Sequence, residues 1–187
     1  MSEQTWWFVA RSSGLVAYAL LGVAVIGGLL MSTRPLGRRP PPDWMLDWHR
    51  FVGALALVFT GVHLVALVAD TYVHFGLVDL FVPFVSEWRP VAVGLGVIAF
   101  YLALAVELTS LVRRRLPRSV WRRVHYLSVP AFASATVHLF MAGEDASNAI
   151  VLAVVGVLVV ATVVLLRYRV SVPTRGRARS RDDAWHA

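Results

Sequence analysis

Long apolar runs separated by short polar segments make up most of this chain. Five runs reach the roughly 20 helical residues that a bilayer core of about 30 Å requires. They cover residues 12–32, 51–69, 90–112, 124–143 and 146–166. Tryptophans lie at the ends of the runs, where amphipathic rings favour the headgroup zone; they are Trp6, Trp7, Trp44, Trp48, Trp88 and Trp121. The pattern predicts an all-α fold, an integral membrane bundle of five transmembrane helices.

The composition supports a membrane protein and excludes several other classes. Of the 187 residues 58% are hydrophobic and only 16% are charged, which is too apolar for an ordinary soluble domain. The lack of cysteine excludes disulfides, Cys-ligated iron–sulfur clusters and c-type haem attachment. The sequence has no Gly-rich phosphate loop and no βαβ pattern, so we expect no flavin or nucleotide domain. If this chain is an enzyme, we expect it to need a partner.

The arginines predict how the bundle is oriented. All 18 basic residues are Arg, and sixteen of them fall on one side if five helices alternate in direction. Only Arg11 and Arg89 fall on the other side. The positive-inside rule then places the N-terminus outside and the C-terminus in the cytoplasm. The formal charge of +7 is therefore interpreted as a mark of topology and not as a nucleic-acid surface. We expect residues 1–168 to form the membrane domain and 169–187 a disordered basic cytoplasmic tail.

Four histidines lie in or beside the second and fourth runs. His49 and His63 are 14 residues apart, and His125 and His138 are 13 apart. An ionisable residue inside a membrane span is costly and therefore points to function. Both spans run outward from the cytoplasm, so the histidines pair by depth, with His49 and His125 inside and His63 and His138 about 20 Å further out. This predicts two metal sites stacked across the membrane.

Haem suits such sites, because a planar macrocycle between two parallel helices takes one axial imidazole from each. Zinc would need more ligands than the two that each level offers. Hydrogen bonding between helices is the alternative for a lone membrane histidine. Ideal helix geometry brings His63 within about 40° of the face of His49 but leaves His138 about 140° from that of His125. Pro130 lies between this second pair and can kink or rewind the helix.

The histidine spacings resemble those of the ferric reductase-like transmembrane domain family, whose relatives include the NADPH oxidases and the membrane haem subunit of the methionine sulfoxide reductase system. The similarity extends over about residues 6–168 and is closest to compact actinobacterial members. It is carried by the segments ARSSGLVAYALL, LDWHRFVGALALVFTGVHLVAL, YLALAVELTSLVRRRLPRSVWRRVHYL and ATVHLF. The resemblance implies two haem b groups, an inner one on His49 and His125 and an outer one on His63 and His138. This sequence departs from the family in lacking a flavin and nicotinamide domain and in having five spans instead of six.

Four arginines are candidates for contacts with haem. Arg50, Arg122 and Arg123 neighbour the inner ligands, and guanidinium groups suit propionate carboxylates. Their alternative role is to mark topology by reaching the lipid headgroups. Arg11 begins the first span on the outer side, and the resemblance to the oxidases implies that it approaches the outer haem.

Other residues are singled out with alternatives left open. Gly53 and Gly61 allow a porphyrin or a neighbouring helix to approach closely. Glu107 either pairs with the following arginine run or modulates the inner haem. The outer segment 70–89 is predicted to hold an interfacial helix, with a cation-binding lip as a further option. The sequence assigns no role to His74 or His186.

Two functions from different classes fit these expectations. The first is a diheme b-type cytochrome in a bacterial plasma membrane that passes electrons from a cytoplasmic flavin donor to an outer acceptor. The flavin would belong to a partner flavoprotein, with quinol as another source, and the acceptor would be ferric iron, oxygen or a redox partner. The second is a non-catalytic membrane anchor or assembly subunit. Membrane lipid is a partner in either case, and nucleic acid in neither.

Overall fold

The computed structural model describes residues 3–33, 43–70 and 75–171, and every regular element in these ranges is helical. This confirms the all-α prediction for the part of the chain described. The helices are α1 (Glu3–Thr33), α2 (Asp43–Ala69), α3 (Leu77–Phe81), α4 (Pro90–Leu111), α5 (Arg118–His125), α6 (Ser128–Ala142) and α7 (Ala149–Ser171). Single 3₁₀ turns lie at Arg113–Arg115 and Glu144–Ser147.

Four of these helices, α1, α2, α4 and α7, are long and apolar enough to cross a membrane. The chain is therefore a multi-pass membrane protein. The predicted span 124–143 is not one helix, because α5 ends at His125 and α6 begins at Ser128. At 15 residues, α6 is about 22 Å long, which is shorter than a bilayer core of about 30 Å.

The predicted boundaries need two further corrections. Helix α2 begins at Asp43, eight residues before the apolar run, so His49 lies well inside the helix. The tail is predicted to begin at residue 169, whereas α7 continues to Ser171, so the first three residues of the predicted tail are helical. The remainder of the predicted tail, 172–187, lies outside the described residues.

The break between α5 and α6 has its cause in Pro130. Proline has no N–H group, so it cannot donate to the carbonyl of Tyr126 four residues earlier. That carbonyl instead accepts a 3.3 Å bond from the N–H of Val129, and the N–H of Leu127 donates to Val124 at 2.9 Å. Both are i→i−3 bonds, which wind the backbone more tightly than an α-helix. The rewinding expected at this proline is confirmed.

The long helices pack as two groups around a central space. Helix α1 packs mainly on α2 and also contacts α6 and α7, while α4 packs on α6. A buried cluster joins α1, α6 and α7, with Tyr18 stacked on Phe132 at a ring distance of 5.3 Å. The opposite face of α7 exposes apolar side chains such as Val157, 67% exposed. Such a face contacts lipid in a membrane, since hydrocarbon solvates it as well as a protein core does.

The outer segment 75–89 covers the beginning of α4. Its Phe75 and Leu80 are buried against Val93 and Val97. Arg89 has a positive φ of 43° and donates to the carbonyl of Met141 at 2.8 Å, which ties this segment to α6. Within the segment, α3 spans only five residues. His74 lies outside the described residues.

Candidate functional site

A cavity of about 1100 Å³ runs between the two helix groups, and all four predicted histidine ligands line it. His49 and His63 reach it from α2, whereas His125 and His138 reach it from the α5–α6 segment. The tight turn between α5 and α6 brings His125 and His138 to the same cavity despite their 13-residue spacing. The two segments meet at one end through His49 and His125, and at the other end both reach the start of α1, since His63 contacts Ala10 and Asp145 binds Arg11. Helix α2 and the α5–α6 segment therefore run parallel, as predicted.

The inner pair, His49 and His125, has the separation that a shared metal atom requires. Their ring centroids are 6.0 Å apart and their planes are inclined by 68°. Two imidazoles on opposite sides of one metal, each bonded at about 2.0 Å, have centroids roughly 6 Å apart. The inner pair therefore fits a bis-imidazole site.

The outer pair, His63 and His138, is oriented by backbone carbonyls. His63 Nδ1 lies 2.7 Å from the carbonyl oxygen of Ala10, and His138 Nδ1 lies 2.7 Å from that of Ala92. A carbonyl oxygen only accepts, so in each ring Nδ1 carries the proton and donates. Each Nε2 is then left with a free lone pair, which is the arrangement usual for a metal-ligating histidine. Both rings line the same cavity.

The inner rings are held differently. His49 Nδ1 is buried near the carbonyl of Ala24 but has no partner within hydrogen-bond distance in the part of the chain that the structure describes. His125 Nδ1 lies 3.5 Å from the hydroxyl of Ser110, and the ring of Trp121 stacks on His125 at 5.1 Å. His125 therefore has a longer polar contact than the outer rings, and His49 Nδ1 has none among the described residues.

Three glycines make room for the imidazoles, and the sequence reasoning did not assign them. A Cβ atom on Gly14 would lie 3.0 Å from His63 Nδ1, and one on Gly96 would lie 2.8 Å from the same atom of His138. One on Gly28 would lie 3.3 Å from His49 Cε1. Any larger residue at these positions would displace a ring. The signal available in the sequence was the spacing, because Gly14 and Gly28 are 14 residues apart, as are His63 and His49.

The expectations for Gly53, Gly61 and Glu107 have mixed outcomes. Gly53 lies directly against the carboxyl group of Glu107, so it does allow α4 to approach. A Cβ on Gly61 would meet nothing within 4 Å among the described residues. The expected ion pair between Glu107 and Arg113–Arg115 is not formed in the described part of the chain, because Glu107 points to Gly53 and the cavity.

Arg11 lines the outer end of the cavity but already has acidic partners. Its Nε donates to Asp145 Oδ2 at 2.9 Å, a second bond joins Nη2 to Asp145 Oδ1, and Nη1 lies 3.4 Å from Glu144. The guanidinium also lies over the ring of Trp7, 3.9 Å from its centroid. The sequence reasoning missed these partners, so the positive charge expected at the outer site is partly offset.

The three arginines near the inner histidines differ in whether they line the cavity. Arg50 and Arg122 line the inner end of the cavity, whereas Arg123 does not. Arg50 is 3.5 Å from Asp47, and Arg122 donates to the hydroxyl of Tyr126 at 3.0 Å. Arg123 is exposed and points away from the cavity lining.

Arg169 of α7 is a further cavity-lining arginine that the sequence reasoning did not single out. It donates to Tyr126 at 3.1 Å and to Ser32 at 3.3 Å. Two guanidinium groups thus share the phenol oxygen of Tyr126, and neither has a carboxylate within 4 Å among the described residues. This end of the cavity is suited to an anion.

The described residues contain no group of three or more His, Cys, Asp or Glu side chains arranged to hold a metal ion. The histidine pairs would thus need a group that supplies the remaining metal ligands itself, as the four nitrogens of a porphyrin do.

A comparison with protein-family models identifies the family of the chain. Searches of curated proteins and of solved structures found no match. A protein-family model described as "Ferric reductase like transmembrane component" matches residues 13–136, about two thirds of the chain. The match contains His49, His63 and His125, and His138 follows its end by two residues. Domains of this family generally bind haem, which identifies the chain as a membrane redox component. With four apolar helices around a histidine-lined cavity and this match, the chain belongs to the ferric reductase-like transmembrane family.

Proposed function

We propose that this protein is a diheme b-type cytochrome of a bacterial plasma membrane. It carries electrons from a cytoplasmic flavin donor to an acceptor outside the cell, which is ferric iron, oxygen or a redox partner. The observation that carries the proposal is that four imidazoles line one cavity, with His49 and His125 paired at a ring distance of 6.0 Å. The two outer rings keep Nε2 free because their Nδ1 protons are bonded to carbonyls.

The proposed topology has five crossings with the N-terminus outside. Helices α1, α2, α4 and α7 each cross once, and α6 makes the fourth crossing with help from the tight turn before it. The charges support this arrangement, because the arginine-rich segments then all lie in the cytoplasm. The acidic residues Glu144 and Asp145 then lie outside.

The residues of the cavity suit haem. His49 and His125 would hold the inner group, and His63 and His138 the outer one. Arg50, Arg122 and Arg169 would bind the inner propionates, since guanidinium groups match carboxylates. When bound, haem supplies one-electron redox chemistry, while the protein fixes its position and tunes its potential.

The electron donor is proposed to be a separate flavoprotein. The sequence given has no nucleotide-binding motif, and residues 113–123 carry six arginines, of which Arg113, Arg118 and Arg122 line the cavity with His125. A cationic surface of this kind attracts an acidic partner. Quinol is a second source of electrons, but no contact among the described residues favours it.

Haem content tests the proposal. Purified protein from haem-replete cells should contain two haem groups per chain and show a b-type reduced-minus-oxidised spectrum. His49→Ala or His125→Ala should remove the inner group, and His63→Ala or His138→Ala the outer one. Val62→Ala and Val137→Ala are matched controls, because these residues adjoin ligands but are 42% and 45% exposed on the outside of the bundle. A haem-free wild-type protein would refute the proposal and leave the anchor function.

A further inference from the structure

The four imidazoles meet α1 and α4 in a repeated pattern. Three of the rings each face a glycine and, four residues earlier on the same helix, a backbone carbonyl. The sets are Ala10 and Gly14 for His63, Ala24 and Gly28 for His49, and Ala92 and Gly96 for His138. Within α1 the two sets are 14 residues apart.

The fourth set is different because it holds a serine. Residues 106 and 110 lie 14 positions after Ala92 and Gly96 on α4, so Val106 supplies the carbonyl and Ser110 stands where the others have glycine. The hydroxyl of Ser110 donates to the Val106 carbonyl at 2.7 Å. It therefore occupies the acceptor that an imidazole would otherwise use.

The single proton of that hydroxyl determines the direction of its other bonds. Because the proton is given to Val106, the oxygen can only accept from its remaining neighbours. Trp121 Nε1, which is always a donor, lies 3.4 Å away, and His125 Nδ1 lies 3.5 Å away. His125 must then carry its proton on Nδ1, which leaves the Nε2 lone pair free.

We propose that Ser110 is a positioning residue for the inner haem. Its hydroxyl relays the hydrogen bond from His125 to the Val106 carbonyl and so fixes the His125 tautomer. This inference rests on the proposed function, because the tautomer matters only if His125 binds iron. Trp121 supports the relay by stacking on His125 and donating to the same oxygen.

Because of this relay, His125 donates its Nε2 electron pair to iron more weakly than the outer ligands do. A hydrogen bond from Nδ1 increases the basicity of an imidazole ligand. The outer rings make this bond directly at 2.7 Å, whereas His125 makes it to Ser110 at 3.5 Å. The Ser110 side chain stands between the imidazole and the carbonyl, and it therefore keeps the bond long.

Substitutions at Ser110 should shift the potential of the inner haem in opposite directions. Ser110→Ala removes the acceptor but keeps the Cβ, so the ligand becomes less basic and the reduction potential of the inner haem rises. Ser110→Gly lets the ring reach the Val106 carbonyl directly, so the potential falls below that of the wild type. Ser110→Thr retains the hydroxyl, so the reduction potential of the inner haem should stay at the wild-type value.

The measurement is a spectroscopic redox titration of full-length diheme protein, with each haem assigned through the histidine variants. The outer haem is the internal reference. Thr109→Ala is the matched control, because Thr109 makes the same kind of bond to its own helix but does not line the cavity. Neither haem should shift in that variant.

Equal inner potentials in the wild type, Ser110→Ala and Ser110→Gly would overturn the inference while leaving the two-haem proposal intact. A wild-type protein without haem would instead refute the proposed function. If Ser110→Ala fails to fold, the comparison of Ser110→Gly with Ser110→Thr still decides, since only the first should lower the potential.

Discussion

Arg11 is the residue for which the structure changes the expected electrostatics most. A lone cation beside the outer haem would disfavour its oxidised, more positive state and so raise its potential. Instead, Arg11 is bound to Asp145 and lies near Glu144. The side chains of Arg11 and Asp145 are 28% and 29% exposed, so solvent weakens the effect of each charge.

We expect Arg11→Ala to lower the potential of the outer haem by about 20 to 60 mV, which corresponds to roughly 0.5 to 1.4 kcal/mol. Asp145→Asn should raise it by a similar amount, because it removes a negative charge from the same place. Redox titration of both variants and of the double variant measures these shifts, and the double variant should lie between the two. Shifts of the same sign in both single variants would show that disruption of the loop, and not charge, is responsible.

At this scale the sequence predicted that four histidines would come together, and all four line one cavity, but it did not predict what surrounds them. The four histidines could be paired because helical rise converts residue spacing into depth. The partners of Arg11 could not be predicted, since Asp145 is 134 positions away and only folding brings it near. The imidazole-facing glycines were missed because a glycine in a membrane helix has many ordinary packing explanations.

Among the helices, the α5–α6 junction sets the relative direction of two ligands. Proline at position 130 prevents α5 from continuing regularly into α6. The sequence indicated a distortion here, because 13 regular steps would leave His138 about 140° from His125. It did not show that the distortion would divide the run into two helices, since apolar composition does not indicate where the pattern of backbone hydrogen bonds changes.

Pro130→Ala should therefore remove the inner haem. The new N–H can bond to the Tyr126 carbonyl, which favours one regular helix and turns His125 away from His49. Haem content should fall from two groups per chain to about one, measured by absorption of the purified protein. Pro90→Ala is the control, because Pro90 begins α4, where the backbone N–H has no helical acceptor. Two haems with unchanged spectra in Pro130→Ala would contradict this explanation.

For the whole molecule, the number of crossings depends on the short helix α6. With the N-terminus outside, five crossings place residue 148 outside and residue 187 in the cytoplasm. If α6 did not cross, both positions would change sides. Helix length alone supports four crossings, whereas the arginine distribution supports five.

Reporter fusions distinguish these topologies. Alkaline phosphatase, which is active only outside the cytoplasm, should be active when fused after residue 148 and inactive when fused after residue 187. Green fluorescent protein, which fluoresces in the cytoplasm, should give the reverse pattern. The opposite result at both positions would exclude the five-crossing arrangement with an external N-terminus.

The matched spacing of α1 and α2 also limits how this protein can change in length. Gly14 and Gly28 contact His63 and His49, so the two antiparallel helices meet at two points separated by equal stretches of chain. Inserting one residue between the glycines would move one contact by about 1.5 Å and turn it by about 100°. Only a compensating insertion between the histidines could restore the axial match, and it would turn one imidazole relative to the other. Insertions and deletions should therefore be confined to the connecting segments, while the helices between these contacts keep a fixed number of residues.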